Sequence, residues 1–503
     1  MNNLKYFSEL TAYFSGVSMF RRSYLTLLFF IFSIHCTLAI VISAQQTPSV
    51  VAEQRVKEFI QLINSNDRKT ARTFIQQNHT ASALKAESVE ARVNWISLLH
   101  DVTGGVALQS LKEPKPFSVR AVVAVKLTGQ WRELMFELES QPPHRIESFD
   151  WGLPIQPPDK LNARKLSEKE MVDELDAFMQ KLRQADVFSG AVLLAKDGKV
   201  IFNKAYGEAN KDFGVPNRTD TKFNLASLNK MFTSVAIAQL VEQGKLSFDD
   251  SLSKFMPDFP TKEAAEKIKI KHLLTHSSGL GSYSVKASRT GVRTVDAFLK
   301  LVKEEKLAFE PGTDQKYSNN AFLILGKVIE QASGQSYFDY VRENIYRRAG
   351  MINTDAYDLD LVNKNLAVGY EKEYTDSGIV FRNNVCEVGA GGPAGGGFST
   401  AEDLLRFAIA LRSGKLVGNE YVKMVLSPKP EVNSPSYGYG FNVLNGIAGH
   451  AGGDTGVQAN LEMFLDDGYT AIVLTNYGSA MRPVSTKIKS LILAGKNVKS
   501  APR

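Results

Sequence analysis

The spacing of apolar side chains changes character along this chain, and each change marks an element. Between Ser49 and Pro154, Val56, Phe59, Ile60 and Ile63 recur at the helical interval, so helices open the region. Ser118 to Leu127, Trp131 to Glu139 and Arg145 to Trp151 then form short β-like runs separated by Gly129 and Pro142-Pro143, which predicts strands. Pro154, Pro157, Pro158 and a charged stretch through Glu170 break the pattern and read as a linker over 158–170. Met171 to Leu182 returns to helical spacing. Gly190 to Ala195 and Lys199 to Tyr206 flank Lys196-Asp197-Gly198-Lys199, and Asp-Gly suits the tight turn between twisted strands, so this is a predicted hairpin. Helical periodicity dominates from Ser227 to about Leu426. Strand-like runs come back at Tyr439 to Leu444, Ala459 to Phe464 and Thr470 to Leu474, with a closing helix near Pro483 to Leu493. Strands at both ends of a helical block predict one antiparallel sheet packed by helices. The expected fold class is α+β in two units, a small one over 45–157 and a large one over 171–497, with 498–503 as a tail.

At 503 residues the chain exceeds one average domain, and 44% apolar with 22% charged residues is the balance of an ordinary globular protein, which supports two folded units. The formal charge is +7; residues 1–44 hold Lys5, Arg21 and Arg22 against Glu9 and carry +2 of it, and the +5 on the remainder is too diffuse for nucleic-acid binding. Arg21-Arg22 precede an uncharged apolar run from Tyr24 to Ile42, with Ser43-Ala44-Gln45 behind it, the layout of an export signal over 1–44. The expected location is therefore periplasmic or secreted. The run is longer than an ordinary signal core, so an uncleaved anchor associating the chain with a membrane is the alternative. Met19, just before Phe20-Arg21-Arg22, offers a second start position. With Cys36 inside that run, Cys386 is alone once the signal is removed, and no intrachain disulfide is expected.

The chemistry-bearing residues fall in the large unit. Ser227-Leu228-Asn229-Lys230 pairs a hydroxyl with an amine one helical turn later, but the same S-x-x-K spacing occurs at Ser82 to Lys85 and at Ser251 to Lys254, so the tetrapeptide alone decides nothing. After Ser227, Leu228, Met231, Phe232, Val235 and Ala238 recur at helical spacing, which puts the serine at a helix start, where backbone N–H groups favour a developing oxyanion. Lys230 can act as a base there only if burial or a neighbour lowers its pKa. Tyr317-Ser318-Asn319 is the one Y-x-N in the chain and precedes a helical pattern, Ala321 to Ile329. Its hydroxyl could relay protons and its amide could bind a substrate amide; the plainer reading is a capping asparagine beside a packing tyrosine. Gly449-His450-Ala451-Gly452-Gly453 is a segment of small residues where a substrate backbone can come close, although His450 by itself reads as a surface histidine on a loop. His272 and His276, four apart on a helical stretch, have neither the acidic residue nor the third ligand of a zinc site and read as structural. Ser399 with Glu402 reads as a capping box for a helix over Ala401 to Leu411. No metal, nucleotide or other cofactor is expected.

In this order the three motifs resemble those of the serine β-lactamase-like family, which includes class C β-lactamases, D-alanyl-D-alanine carboxypeptidases, related esterases and D-aminopeptidases. Phe188-Ser189-Gly190, Ala205-Tyr206-Gly207, the stretch Lys271 to Leu280, Pro393 to Thr400 and Leu474-Thr475-Asn476 support the resemblance, which runs from about Ser167 to Leu493. It implies a β-lactamase/transpeptidase-like antiparallel sheet flanked by helices with a helical subdomain. It also implies Ser227 as nucleophile, Lys230 as its base and Tyr317 as the partner that moves the proton to the leaving group. Asn319, His450 and Gly452 would bind substrate, and the backbone N–H groups of Ser227 and Gly453 would form the oxyanion hole. The third motif is often Lys-Thr-Gly in β-lactamases; a mostly neutral histidine anchors a carboxylate less firmly than lysine, which favours peptide or ester substrates over β-lactams. The expected function is an exported serine hydrolase cleaving a D-amino-acid peptide, ester or β-lactam bond in a small-molecule or peptide substrate. The alternative is a slow penicillin-binding or scaffold protein that retains the fold. The 45–157 unit is faintly similar to the nuclear-transport-factor-like or polyketide-cyclase-like cone, without a specific motif, and reads as a spacer or a module for an unknown partner.

Overall fold

The computed structural model describes residues 48–155, 164–282, 292–300, 306–386 and 391–495. The expected signal or anchor, positions 158–163 of the linker and the tail lie outside the described residues. Among the described residues no helix is long and apolar enough to cross a membrane.

The first unit begins with helices α1 (Pro48–Ser65), α2 (Arg68–Asn78), α3 (Ala81–Ala86) and α4 (Val89–Thr103). A four-stranded antiparallel meander follows, β1 (Val106–Lys115), β2 (Ser118–Val125), β3 (Trp131–Leu138) and β4 (Ile146–Ile155). Val56, Phe59, Ile60 and Ile63 are all buried, and Phe59 packs on Phe136 and Phe149 of the sheet at 5.4 and 4.6 Å between rings. Alternate residues of β2 and β3 are buried, which is the period that marked them in the sequence. β1 was not marked, because beyond Val106 its side chains are mostly exposed and only its backbone ladder with β2 defines it.

The second unit opens with α5 (Glu168–Gln184), inside the stretch expected to be linker. Ser167 and Glu170 form a reciprocal capping box there, so charge-rich residues that read as a spacer begin a helix. β5 (Gly190–Lys196) and β6 (Lys199–Tyr206) make the expected hairpin, with Asp197 and Gly198 both at positive φ. A small ribbon, β7 (Glu208–Asn210) with β8 (Val215–Pro216), precedes β9 (Phe223–Asn224). The helical block holds α6 (Lys230–Glu242), α7 (Lys262–Lys267), α8 (Ile270–Leu274), α9 (Val295–Leu299), α10 (Asn319–Ser333) and α11 (Tyr337–Val341). A hairpin absent from the sequence expectation interrupts it, β10 (Tyr370–Thr375) and β11 (Gly378–Asn383), before β12 (Phe398–Ser399), α12 (Ala401–Arg412) and α13 (Asn419–Val425). The end of the unit is β13 (Asn442–Leu444), β14 (Ile447–Asp454), β15 (Val457–Phe464), β16 (Tyr469–Thr475) and α14 (Met481–Ile492).

These strands close one antiparallel sheet in the order β13-β14-β15-β16-β5-β6. β5, from the start of this unit, pairs with β16, from its end, and is buried on both faces. Val192 and Leu194 pack with Leu175 of α5 and with Val484 and Ile488 of α14. Ala191, Leu193 and Ala195 face the helical block instead, with Leu404 and Phe407 of α12. Helix α6 runs through that block with every side chain from Lys230 to Leu240 buried. The cap of α12 is Thr400, whose side chain accepts from Asp403 N, one position later than the expected Ser399 and Glu402. The shift has a cause in packing: Asp403 is fully buried, where it accepts from Asn353 N at 2.6 Å and Thr354 Oγ1 at 2.9 Å and pairs with Arg406 at 2.7 Å.

Candidate active site

Ser227 lies in a single 3-10 turn, Ala226–Asn229, that leads from β9 into α6. The residue before it, Ala226, has φ +45°, a left-handed conformation that a non-glycine residue holds only when its surroundings fix it. They do so on two sides. Ala226 N donates to Asn224 Oδ1 at 2.8 Å, and Gly396 N donates to the Ala226 carbonyl at 3.0 Å. The glycine-rich passage 391–397 thus backs the turn, and a Cβ on Gly395 would stand 3.2 Å from the Ala226 carbonyl carbon. On the other side runs β14, where a Cβ on Gly452 would come within 2.2 Å of Leu225 O and 3.0 Å of Ser227 N. Only a glycine lets the strand lie this close to the turn.

Lys230 is the first residue of α6, and its side chain is completely buried. Nζ stands 3.1 Å from Ser227 Oγ and 2.8 Å from Asn319 Oδ1, and donates to the Ala394 carbonyl as well. Every one of these partners is neutral. Burial, with no carboxylate among the described residues to hold the charge, pushes the amine well below the usual lysine range, which leaves it able to accept a proton. Tyr317 donates its hydroxyl to Ser227 Oγ at 2.7 Å, and the Lys230 amine lies 4.9 Å from the centre of the same tyrosine ring. Ser318, not Asn319, caps α10, by accepting from Ala321 N at 3.0 Å, so the Asn319 side chain is directed to Lys230. The two rival S-x-x-K sites show what the tetrapeptide lacks elsewhere. Ser82 and Lys85 are exposed on α3, while Lys254 pairs with Asp250 at 2.8 Å and Ser251 with Ser253.

His450 departs from its reading as a surface histidine on a loop. It sits on β14 and not on a loop, it is 4% exposed, and its ring nitrogens are engaged by the Tyr437 hydroxyl, at 3.0 Å, and the Ala451 carbonyl. Burial, with Lys230 nearby, lowers its pKa to about 3, so the ring is neutral and ties the strand to Tyr437 instead of offering a charge to a substrate carboxylate. β13 pairs with β14 only as far as Gly449, and the next residues run past the Ser227 turn. Gly453 is exposed, with nothing within 4 Å of where a Cβ would be, so its backbone borders open space.

One residue read as merely structural lies against this cluster. His276 follows α8 instead of lying on a helix, at φ +60°, and its Nδ1 accepts from Ser318 N at 3.1 Å. Its ring centre is 4.3 Å from that of Tyr317. His272, four residues earlier, accepts from Lys269 N within its own helical turn and takes no part. The one sequence signal for His276 was its place in the stretch Lys271 to Leu280.

The chain matches the family model described as Beta-lactamase over residues 172–495. It is 29% identical over 324 residues to penicillin-binding protein 4* of Bacillus subtilis (strain 168), an alignment covering 60% of this chain and 71% of that protein. It is 29% identical over 301 residues to the teichoic acid D-alanine hydrolase of Staphylococcus aureus, covering 58% and 71%. Among solved structures, a penicillin binding protein from Bacillus halodurans superposes with a TM-score of 0.56 at 28% identity, over 65% of this chain and 100% of that one. The D-amino acid amidase of Ochrobactrum anthropi SV3 superposes at 0.54 with 20% identity, over 66% and 98%, a likeness of fold alone.

Proposed function

The chain belongs to the Beta-lactamase family, and on that premise we propose that it is an exported serine hydrolase that forms an acyl-enzyme at Ser227, with a D-amino-acid ester or amide as substrate. The observation that carries the reading is the buried, uncompensated Lys230 amine 3.1 Å from Ser227 Oγ, with the Tyr317 hydroxyl on the same oxygen. Neutral Lys230 takes the hydroxyl proton as Oγ attacks the substrate carbonyl. The oxyanion that forms is met by the backbone N–H groups of Ser227 and Gly453. The proton passes through Tyr317 to the leaving oxygen or nitrogen, and Asn319 orients both Lys230 and the substrate amide. Water then repeats the sequence on the acyl-enzyme with the same base, which regenerates Ser227.

The choice of substrate rests on the third motif and on one relative. A neutral, buried His450 leaves that motif without the cation that would anchor a β-lactam carboxylate, and a relative at 29% identity is named for hydrolysis of D-alanine from teichoic acid. Export rests on the arginines and apolar run of residues 1–44. The test is intact mass after treatment with a fluorophosphonate, wild type beside Ser227→Ala, followed by turnover of a D-alanyl ester, a D-alanyl amide and a chromogenic β-lactam. One adduct confined to the wild type, and faster turnover of the D-alanyl substrates, are expected. No adduct on folded wild type would replace this reading with that of a binding protein.

A further inference from the structure

His276 meets the Tyr317 segment at three points. Its backbone carbonyl accepts from Lys316 N at 2.9 Å, its ring Nδ1 accepts from Ser318 N at 3.1 Å, and its ring lies 4.3 Å from the Tyr317 ring at 36° between planes. Both chain neighbours of Tyr317 are therefore fastened to one residue, and the tyrosine ring leans on it. Phe322, at 5.2 Å, and Tyr437, at 5.0 Å, fix the histidine from other directions.

This arrangement is costly to keep. The ring is 2% exposed, the backbone is left-handed, and Nε2 is buried without a hydrogen-bond partner among the described residues. Since Nδ1 accepts, Nε2 carries the hydrogen, and a buried N–H without an acceptor is destabilising. An apolar side chain would fill the same volume without that cost. What it would not supply is an acceptor for Ser318 N, a buried backbone donor that needs one. Burial and the nearby Lys230 keep the imidazole well below its usual pKa, hence neutral and able to accept.

We infer that His276 is a positioning residue for Tyr317: in its Nε2–H form it fixes the segment 316–318 so that the phenol hydroxyl stays on Ser227 Oγ. The inference rests on the hydrolase reading for its kinetic consequence, but not for its geometry. A displacement of about 1 Å in a reacting group costs about 10²-fold in rate, so a tyrosine free to swing would lose most of its effect.

The test uses the full chain, fluorophosphonate labelling of Ser227, and turnover of a D-alanyl ester. His276→Ala is expected to lower the labelling rate by about 10²-fold and to lower kcat with little change in KM. His276→Asn, which keeps an acceptor near the Nδ1 position and tolerates the left-handed backbone, is expected to recover about tenfold, the worth of roughly one hydrogen bond. In a Tyr317→Phe background, His276→Ala is expected to cause no further loss, because its effect passes through the phenol. Wild-type labelling by His276→Ala, no recovery with Asn, or losses that multiply in the Tyr317→Phe background would each overturn the inference. If His276→Ala does not fold, the comparison of His276→Asn alone and in the Tyr317→Phe background decides by the same criterion of non-additivity. If the wild type itself is neither labelled nor active, the hydrolase reading fails and crystal structures of His276→Ala and His276→Asn decide: a Tyr317 hydroxyl that leaves Ser227 Oγ in the Ala variant and stays on it in the Asn variant supports the inference, and one that stays on Ser227 Oγ in the Ala variant overturns it.

Discussion

A buried amine is ordinarily paired with a carboxylate or avoided, and Lys230 follows neither course. Between its lowered pKa and the 10.5 of a free lysine, the unfolded chain binds a proton that the folded chain does not. Stability contributed at this site therefore rises with pH through that window, and the site is least favourable to folding on its acid side. Lys230→Met removes the titration while filling a similar volume. At pH 7 the variant is expected to melt higher than wild type, by about 2 °C or more; the gap should close as the pH approaches 10.5, and Ser227 labelling should be lost. A gap that stays constant in a calorimetric series over that range would show that the amine titrates as an ordinary lysine. That Ser227, Lys230, Tyr317 and Asn319 meet in one cluster was legible in the three motifs and the family they resemble. No such reading was open for His276, whose meaning comes from two hydrogen bonds to residues 316 and 318, and a lone histidine carries no spacing to read. His450 misled for a related reason: its sequence neighbours are glycine and alanine, but its environment is Tyr437 and the buried side of β14.

At the scale of elements, catalytic geometry depends on how closely β14 approaches the turn that carries Ser227. Gly452 and Gly453 are adjacent and chemically identical, yet their surroundings differ. Gly452→Ala places a methyl 2.2 Å from Leu225 O, so strand or turn must move; a stability cost of about 1–3 kcal/mol is expected, together with a fall of about 10²-fold in Ser227 labelling. Gly453→Ala meets nothing within 4 Å and keeps its backbone N–H. Its stability should stay within about 0.5 kcal/mol of wild type, and labelling should persist. Melting temperatures and labelling rates of the two variants, compared side by side, check the prediction; equal behaviour would mean that the strand does not approach the turn as described. The same scale shows what hydrophobic patterning finds and misses. The β5–β6 hairpin was legible because Asp197-Gly198 states its turn and its strands are apolar. β1 and β11 were not, since their side chains are largely exposed, and neither was β10, whose half-buried residues are mostly polar or charged. The cap of α12 slipped by one residue because Asp403, not Glu402, is the acid that finds buried partners.

Across the whole molecule, the β10–β11 hairpin joins the two units. Lys372 reaches Asp101 of α4 at 2.8 Å, with the two side chains only 9% and 11% exposed, and Tyr374 donates to the same carboxylate at 3.1 Å. An aspartate in the last turn of a helix faces the negative end of the helix dipole, so these partners are what make Asp101 favourable there. Nothing in the sequence could announce the pair, whose members are 271 residues apart. At the hairpin turn, Arg68 and Arg72 of α2 pair with Asp376, which is 65% exposed. The two contacts should behave differently. Asp376→Asn removes solvent-screened pairs that contribute little to stability, and its small effect should vanish near 1 M salt, where the screening length is about 3 Å. Asp101→Ala strands a nearly buried ammonium that retains the Asp186 carbonyl at 2.6 Å and the rings of Phe381 and Tyr477 at 5.7 and 5.5 Å, but no carboxylate among the described residues. A loss of about 3 kcal/mol is expected, with little dependence on salt. Because that loss falls on the junction, calorimetry of the full chain should show the small unit unfolding ahead of the large one in Asp101→Ala, whereas wild type and Asp376→Asn melt together. An unchanged single transition in Asp101→Ala would mean that the two units are held together by something other than this pair.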